Sequence, residues 1–235
     1  MRASWRPKIV KMKHNDSLED GYQNPIDNSH MPEFEKQQGD ATEEYQQDIA
    51  PIMNELLASG YDVRSLDDIA RSKAFEGAIP MLAKWLPRIT NPLVKVSIVR
   101  ALSVPWAKAD AATALVKEFR RTPNDASAGL KWAIGNALEV IACNQISNDL
   151  IELVQDKRHG TARQMLAIAL GKTKNIQAAS ILIKLLDDDE VAGHAVIGLR
   201  TLNAKNALPF IKRLLNHPKR WVRREVIQAI NKIEK

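Results

Sequence analysis

Five nine-residue stretches of the sequence align without gaps, and that repetition constrains the fold more than any other feature. They are AIPMLAKWL from Ala78, AATALVKEF from Ala111, ISNDLIELV from Ile146, AASILIKLL from Ala178 and ALPFIKRLL from Ala207. The fifth position is Leu82, Leu115, Leu150, Leu182 and Ile211, and the ninth is Leu86, Phe119, Val154, Leu186 and Leu215. The seventh is charged throughout, as Lys84, Lys117, Glu152, Lys184 and Arg213. Apolar residues four apart with a charge between them trace one face of a helix. Successive starts lie 33, 35, 32 and 29 residues apart, a period that belongs to stacked supersecondary units.

Each unit holds a second apolar segment that ends in a small residue followed by an aliphatic one. These endings are Ala101–Leu102, Ala137–Leu138, Ala169–Leu170, Gly198–Leu199 and Ala229–Ile230. Turn formers separate the two segments: Asn91–Pro92, Asn124–Asp125, His159–Gly160, Asp187 to Asp189, and His217–Pro218. No alternating β pattern competes with this reading. The expectation is an all-α chain, an α-solenoid of about five helix pairs with an N-terminal helical cap.

The second helices read LVKVSIVRAL, GLKWAIGNAL, GTARQMLAIAL and WVRREVIQAI. This pattern resembles the HEAT repeat, in the short bacterial form also called the PBS-lyase HEAT-like repeat. The resemblance covers roughly residues 76–235. It implies a right-handed solenoid with repeats at about 76–104, 108–142, 146–172, 175–202 and 205–235, and second helices that line a concave surface. The fourth unit, EVAGHAVIGL, departs from the pattern by placing Ala192 where the others carry a base.

That base is the seventh residue before the final aliphatic one: Lys95, Lys131, Arg163 and Arg223. At ~100° per residue it falls within the core arc, which offsets 0, 1, 3, 4 and 8 define. In the last helix those offsets are Ile230, Ala229, Ile227, Val226 and Val222. A charge pointing inward needs a carboxylate or a helix C-terminal carbonyl, because its desolvation is otherwise costly. The resemblance implies that these four bases form a structural ladder between repeats. The opposite arc carries Arg100, Trp132, Asn136, Gln164, His194, Trp221 and Arg224, the expected partner-binding residues of a groove floor. Tryptophan and arginine are the residue types enriched in binding hot spots.

The N-terminal part reads differently. Residues 1–40 are polar, are broken by Pro7, Pro25 and Pro32, and show no period, so a disordered tail is expected there. Residues 41–75 form the helical cap of a solenoid spanning 41–235. Within it, TEEYQQDIAPIMNELLASG places Tyr45, Ile49, Ile52, Met53, Leu56 and Leu57 on one face. Thr42 opens that helix, Pro51 is expected to kink it, and Gly60 is its C′ residue. Ser65 with Asp68 has the form of a capping box.

Charge is unevenly spread. Residues 1–70 carry 7 basic and 14 acidic side chains, whereas residues 71–235 carry 27 and 14, a net of +13 on the repeats. A basic body favours anionic partners through its long-range field. The acidic N-terminal region is a candidate to occupy the groove in cis. Cys143 is the only cysteine, which excludes an internal disulfide and a cysteine metal cluster and suits a reducing cytoplasm. It is expected to be a small buried residue. No apolar run reaches the ~18 residues of a membrane span.

Catalytic motifs are missing: there is no GxGxxG, P-loop or GxSxG. His14, His30, His159, His194 and His217 are dispersed. The acidic run Asp187–Glu190 sits ahead of a helix N-terminus, where carboxylates are favourable, and is not read as a metal site. No catalytic, cofactor or metal residue is assigned, and no cofactor is expected. The leading expectation is therefore a non-enzymatic interaction module that docks a protein or peptide segment, acidic by charge complementarity. Nucleic acid is the alternative partner, because the HEAT-like alkylpurine DNA glycosylases also have a basic groove with Trp and Arg. An acidic groove residue to match theirs is not found. A third reading, a bilin-lyase-like accessory enzyme, rests on the repeat alone.

Overall fold

A computed structural model describes residues 43–123 and 128–235. The expected tail over 1–40, the helix start at Thr42 and the Asn124–Asp125 turn lie outside the described residues. Every regular element among those described is helical. The α-helices are α1 Glu43–Ala58, α2 Leu66–Arg71, α3 Ile79–Trp85, α4 Pro92–Leu102, α5 Lys108–Arg121 and α6 Ala128–Val140. They continue with α7 Ser147–Gln155, α8 Arg163–Lys172, α9 Ala178–Lys184, α10 Ala192–Leu202, α11 Leu208–Lys212 and α12 Arg220–Ile233. Short 3-10 turns bridge several of them.

Local chemistry sets the helix ends. Asn91 Oδ1 accepts from the N–H groups of Leu93 and Val94, and Pro92 supplies the fixed φ of a first helical residue. Asp68 accepts from the Arg64 and Ser65 backbone N–H groups at the start of α2. Gly60 ends α1 at φ 85°, and the Tyr61 N–H reaches back to Leu56 O, a Schellman closure that needs a residue tolerant of positive φ. Asn203 does the same for α10 at φ 53°, with Ala204 N–H bonded to Leu199 O. Helix α1 runs through Pro51 as one helix.

Packing follows the repeat. Helix α3 packs on α4, α5 on α6, α7 on α8, α9 on α10 and α11 on α12. The second members also stack on one another in the order α2, α4, α6, α8, α10, α12, so they form one continuous layer. The aligned leucines fill the space between the layers: Leu82, Leu115, Leu150, Leu182 and Ile211 are all fully buried. Small residues set how closely the second helices approach. Gly171 of α8 and Gly198 of α10 meet backbone to backbone, and a Cβ on Gly198 would lie 2.7 Å from Ala167 O.

Three expectations about burial are corrected. Leu57 does not share the buried face of α1 and is 63% exposed, because that face is completed by Ile49, Ile52 and Leu56. Ile227 was placed in the core arc of α12 but is 51% exposed. An inner helix of the layer has a neighbour on each side, so Val191 to Leu199 of α10 are all buried. Helix α12 turns one flank toward α10 and leaves the flank of Ile227 open. Cys143 is half-buried, at the mouth of a 3-10 turn, where the chain leaves the core.

Candidate functional site

Five of the residues picked out by the helical wheel keep exposed surface. Arg100 in the last turn of α4, Trp132 and Asn136 of α6, and Gln164 of α8 are half-buried, and Arg224 of α12 is exposed. Gln164 Nε2 donates to the Glu190 carbonyl (3.0 Å), which ties α8 to the turn ahead of α10. Met165 and Ile168 of α8 and Ile197 of α10 form a small buried apolar cluster separate from the main core.

His194 and Trp221 were expected to point outward, and both are buried. Trp221 lies over Gly193, where an added Cβ would meet the indole ring at 2.1 Å. It also packs edge-on against His194, ring centroids 5.1 Å apart. The cause is again the one-sided packing of α12, which rotates its buried flank toward α10 and carries Trp221 and Glu225 inward. Burial, with the nearby Lys219 charge, pushes the His194 pKa down to about 4, so the ring is neutral near pH 7.

The four inward bases find the partners that their desolvation demands, in two ways. Lys95 of α4 reaches forward to Glu118 of α5, a pair buried between successive helix pairs. Arg163, 1% exposed, also reaches forward: Nη1 to Asp188 (2.8 Å) and Nη2 to Glu190 (2.7 Å), while Nε donates to Gly160 O. Desolvation, the largest single influence, acts to raise the Asp188 carboxyl, but the hydrogen bonds from Arg163 and the Glu190 N–H together with the Arg163 and Lys157 charges hold its pKa below the usual carboxylate range. Lys131 and Arg223 instead bond within their own pair. Lys131 donates to Thr122 O (2.8 Å) and sits 4.9 Å from the centre of the Phe119 ring. Burial lowers the Lys131 pKa, against the opposing field of Asp156. Arg223 donates to the His217 and Pro218 carbonyls at 2.6 and 2.8 Å. Where the fourth pair has Ala192 in place of a base, that residue is simply buried.

Three of the four carboxylates in the acidic run are ion-paired. Asp188 and Glu190 hold Arg163, Asp187 takes Arg213 (2.8 Å), and Asp189 lies 3.9 Å from His217. Among the described residues no group of three or more His, Cys, Asp or Glu side chains is placed to hold a metal ion. His159 packs edge-on to Phe119 and lies 3.8 Å from Asp156, in a turn rather than a ligand cluster.

One functional-looking group escaped the wheel. Glu225, buried on α12, faces Arg200 of α10 at 2.8 Å, and Arg200 also donates to Gln228 (2.5 Å). Its sequence signal was a lone carboxylate inside a run of arginines. No helix among the described residues is long and apolar enough to cross a membrane.

No curated protein and no solved structure matches the chain. Residues 187–235, which hold the Asp187–Glu190 turn, α10, α11 and α12, match the family model of HEAT repeats. The HEAT-repeat likeness is shown for these C-terminal residues.

Proposed function

We propose that this protein is a protein-interaction module. Its second-helix layer lines the concave groove of a right-handed solenoid of about five helix pairs, with repeats near 76–104, 108–142, 146–172, 175–202 and 205–235 and a cap over 41–75. A partner segment of acidic character docks along that groove and contacts Arg100, Trp132, Asn136, Gln164 and Arg224. The role is binding and scaffolding rather than catalysis.

The observation that supports this reading is that Arg100, Trp132, Asn136 and Gln164 stay half-buried on successive second helices, α8 and α10 of which also carry the separate apolar cluster Met165, Ile168 and Ile197. Apolar residues together with arginine, tryptophan and amide groups have the make-up of a protein interface, where charge is depleted at the core and polar groups form the rim. Extended binding surfaces of this kind are what stacked helical repeats present. The net charge of +13 over residues 71–235 favours an acidic segment.

The experiment is capture of partners from native lysate on the full chain, with Trp132→Ala as the control bait. A partner retained by the wild type and lost from the variant supports the groove. Equal retention on both baits contradicts it. The basic charge also favours a second reading, nucleic acid in the same groove. That reading requires an affinity for DNA or RNA that falls steeply with salt, and no mobility shift at low salt would end it.

A further inference from the structure

The pair α11 and α12 keeps core residues on a side that no described residue covers. Leu215 occupies the ninth position of its helix segment, where Leu86, Phe119, Val154 and Leu186 are buried in the four preceding pairs. Leu215 is 42% exposed. Ile227 and Ile230 of α12 correspond to Val99 and Leu102, to Gly135 and Leu138, to Ala167 and Leu170, and to Val196 and Leu199, all of them buried. Ile227 is 51% exposed and Ile230 is half-buried.

The preceding pairs show what such a flank receives. Lys95 takes Glu118 from the next pair, and Arg163 takes Asp188 and Glu190 from the next pair. In each case an apolar contact is completed by a carboxylate brought in on the incoming unit. Arg223 is the same position in α12, and among the described residues it bonds only carbonyls of its own turn. Charge decides between occupants. Residues 205–235 carry 9 basic and 2 acidic side chains, and both acids are paired, Glu225 with Arg200 and Glu234 with Lys212. A second copy set face to face would bring Arg223 and its basic neighbours against their own counterparts.

We infer that the flank formed by Leu215, Ile227, Ile230 and Arg223 is a second docking surface, distinct from the groove, for an acidic amphipathic helix of a partner protein. The helix lays its apolar side on the two isoleucines and Leu215 and presents a carboxylate to Arg223. This is the helix-on-face mode of recognition, extended by one charge-assisted pair.

The test is fluorescence anisotropy with the full chain and a labelled synthetic amphipathic helix of leucine and glutamate, beside its leucine and lysine counterpart. The glutamate peptide binds saturably, and Ile227→Glu or Arg223→Gln weakens it at least about tenfold. The lysine peptide does not bind, and Trp132→Ala leaves the affinity for the glutamate peptide unchanged. Equal binding to wild type and Ile227→Glu, or equal binding of the two peptides, overturns the assignment. Loss on Trp132→Ala alone moves the peptide to the groove and overturns it as well. Sedimentation of the wild type as a dimer that Ile227→Glu dissolves would give the flank to a second copy, against the proposal. Because Ile227 is exposed, that variant keeps its fold, and its circular dichroism checks this.

Discussion

Gly171 and Gly198 face each other across α8 and α10 so closely that a Cβ on Gly171 would lie 2.4 Å from the Gly198 Cα. The atoms that such a methyl would strike are backbone, and backbone in two packed helices cannot swing aside. The spacing of the second-helix layer, and with it the alignment of the surface on either side, depends on this contact.

Gly198→Ala is therefore expected to destabilise the fold by roughly 1–3 kcal/mol, the range of an overpacked core. The new Cβ would meet Ala167 O at 2.7 Å and the Leu182 side chain at 3.0 Å. Thermal unfolding measures it. Gly160→Ala is a different case: φ is 51° with open space around it, so its cost is backbone strain alone.

Arg163→Ala leaves Asp188 partly buried with no cation. Removing one partner of a buried pair costs about 3–5 kcal/mol. Arg163→Lys recovers only part of this loss, because one ammonium cannot span Asp188 and Glu190 as the guanidinium fork does. Urea unfolding of the two variants gives the order wild type, Lys, Ala.

His194 makes stability depend on acid. Its folded pKa of about 4 lies below the ordinary value of 6.5, so between the two the unfolded chain binds more protons than the folded one. Stability from this residue is complete above pH 6.5 and falls as the pH drops toward 4, by up to about 3 kcal/mol. His194→Gln should flatten that part of the profile. A wild-type melting temperature that is constant from pH 6.5 to 4.5 would contradict the burial.

Trp221→Ala should destabilise the protein by about 3–5 kcal/mol, as a buried aromatic does. A residue that served only in binding would leave the melting temperature unchanged. Trp132→Ala, half-buried, should cost far less, and this contrast separates the tryptophan that holds the fold from the one on the candidate surface.

Most of the helical layout was legible in the sequence, because the repeat fixes the core positions where a helix has neighbours on both sides. Leu166, Ala169 and Leu170 of α8 are buried as the wheel predicts. The wheel failed on α12, where Ile227 went out and Trp221 and Glu225 went in, because it assumes two neighbours and α12 shows one, and it failed at His194 of α10, which the inward Trp221 covers. Trp221 over Gly193 is a pairing of a large residue with a hole 28 positions away, and no local pattern announces it. The inward bases were visible as charges at core positions. Their partners were not, since Lys95 and Arg163 reach carboxylates across pairs while Lys131 and Arg223 donate to carbonyls of their own pair.

The most direct test of the groove is the affinity of the captured partner for the wild type and for a Trp132→Ala, Arg224→Glu double variant with an unchanged melting temperature. The account predicts a loss of about 30-fold or more, the scale of a hot-spot residue. An affinity equal to that of the wild type would contradict it.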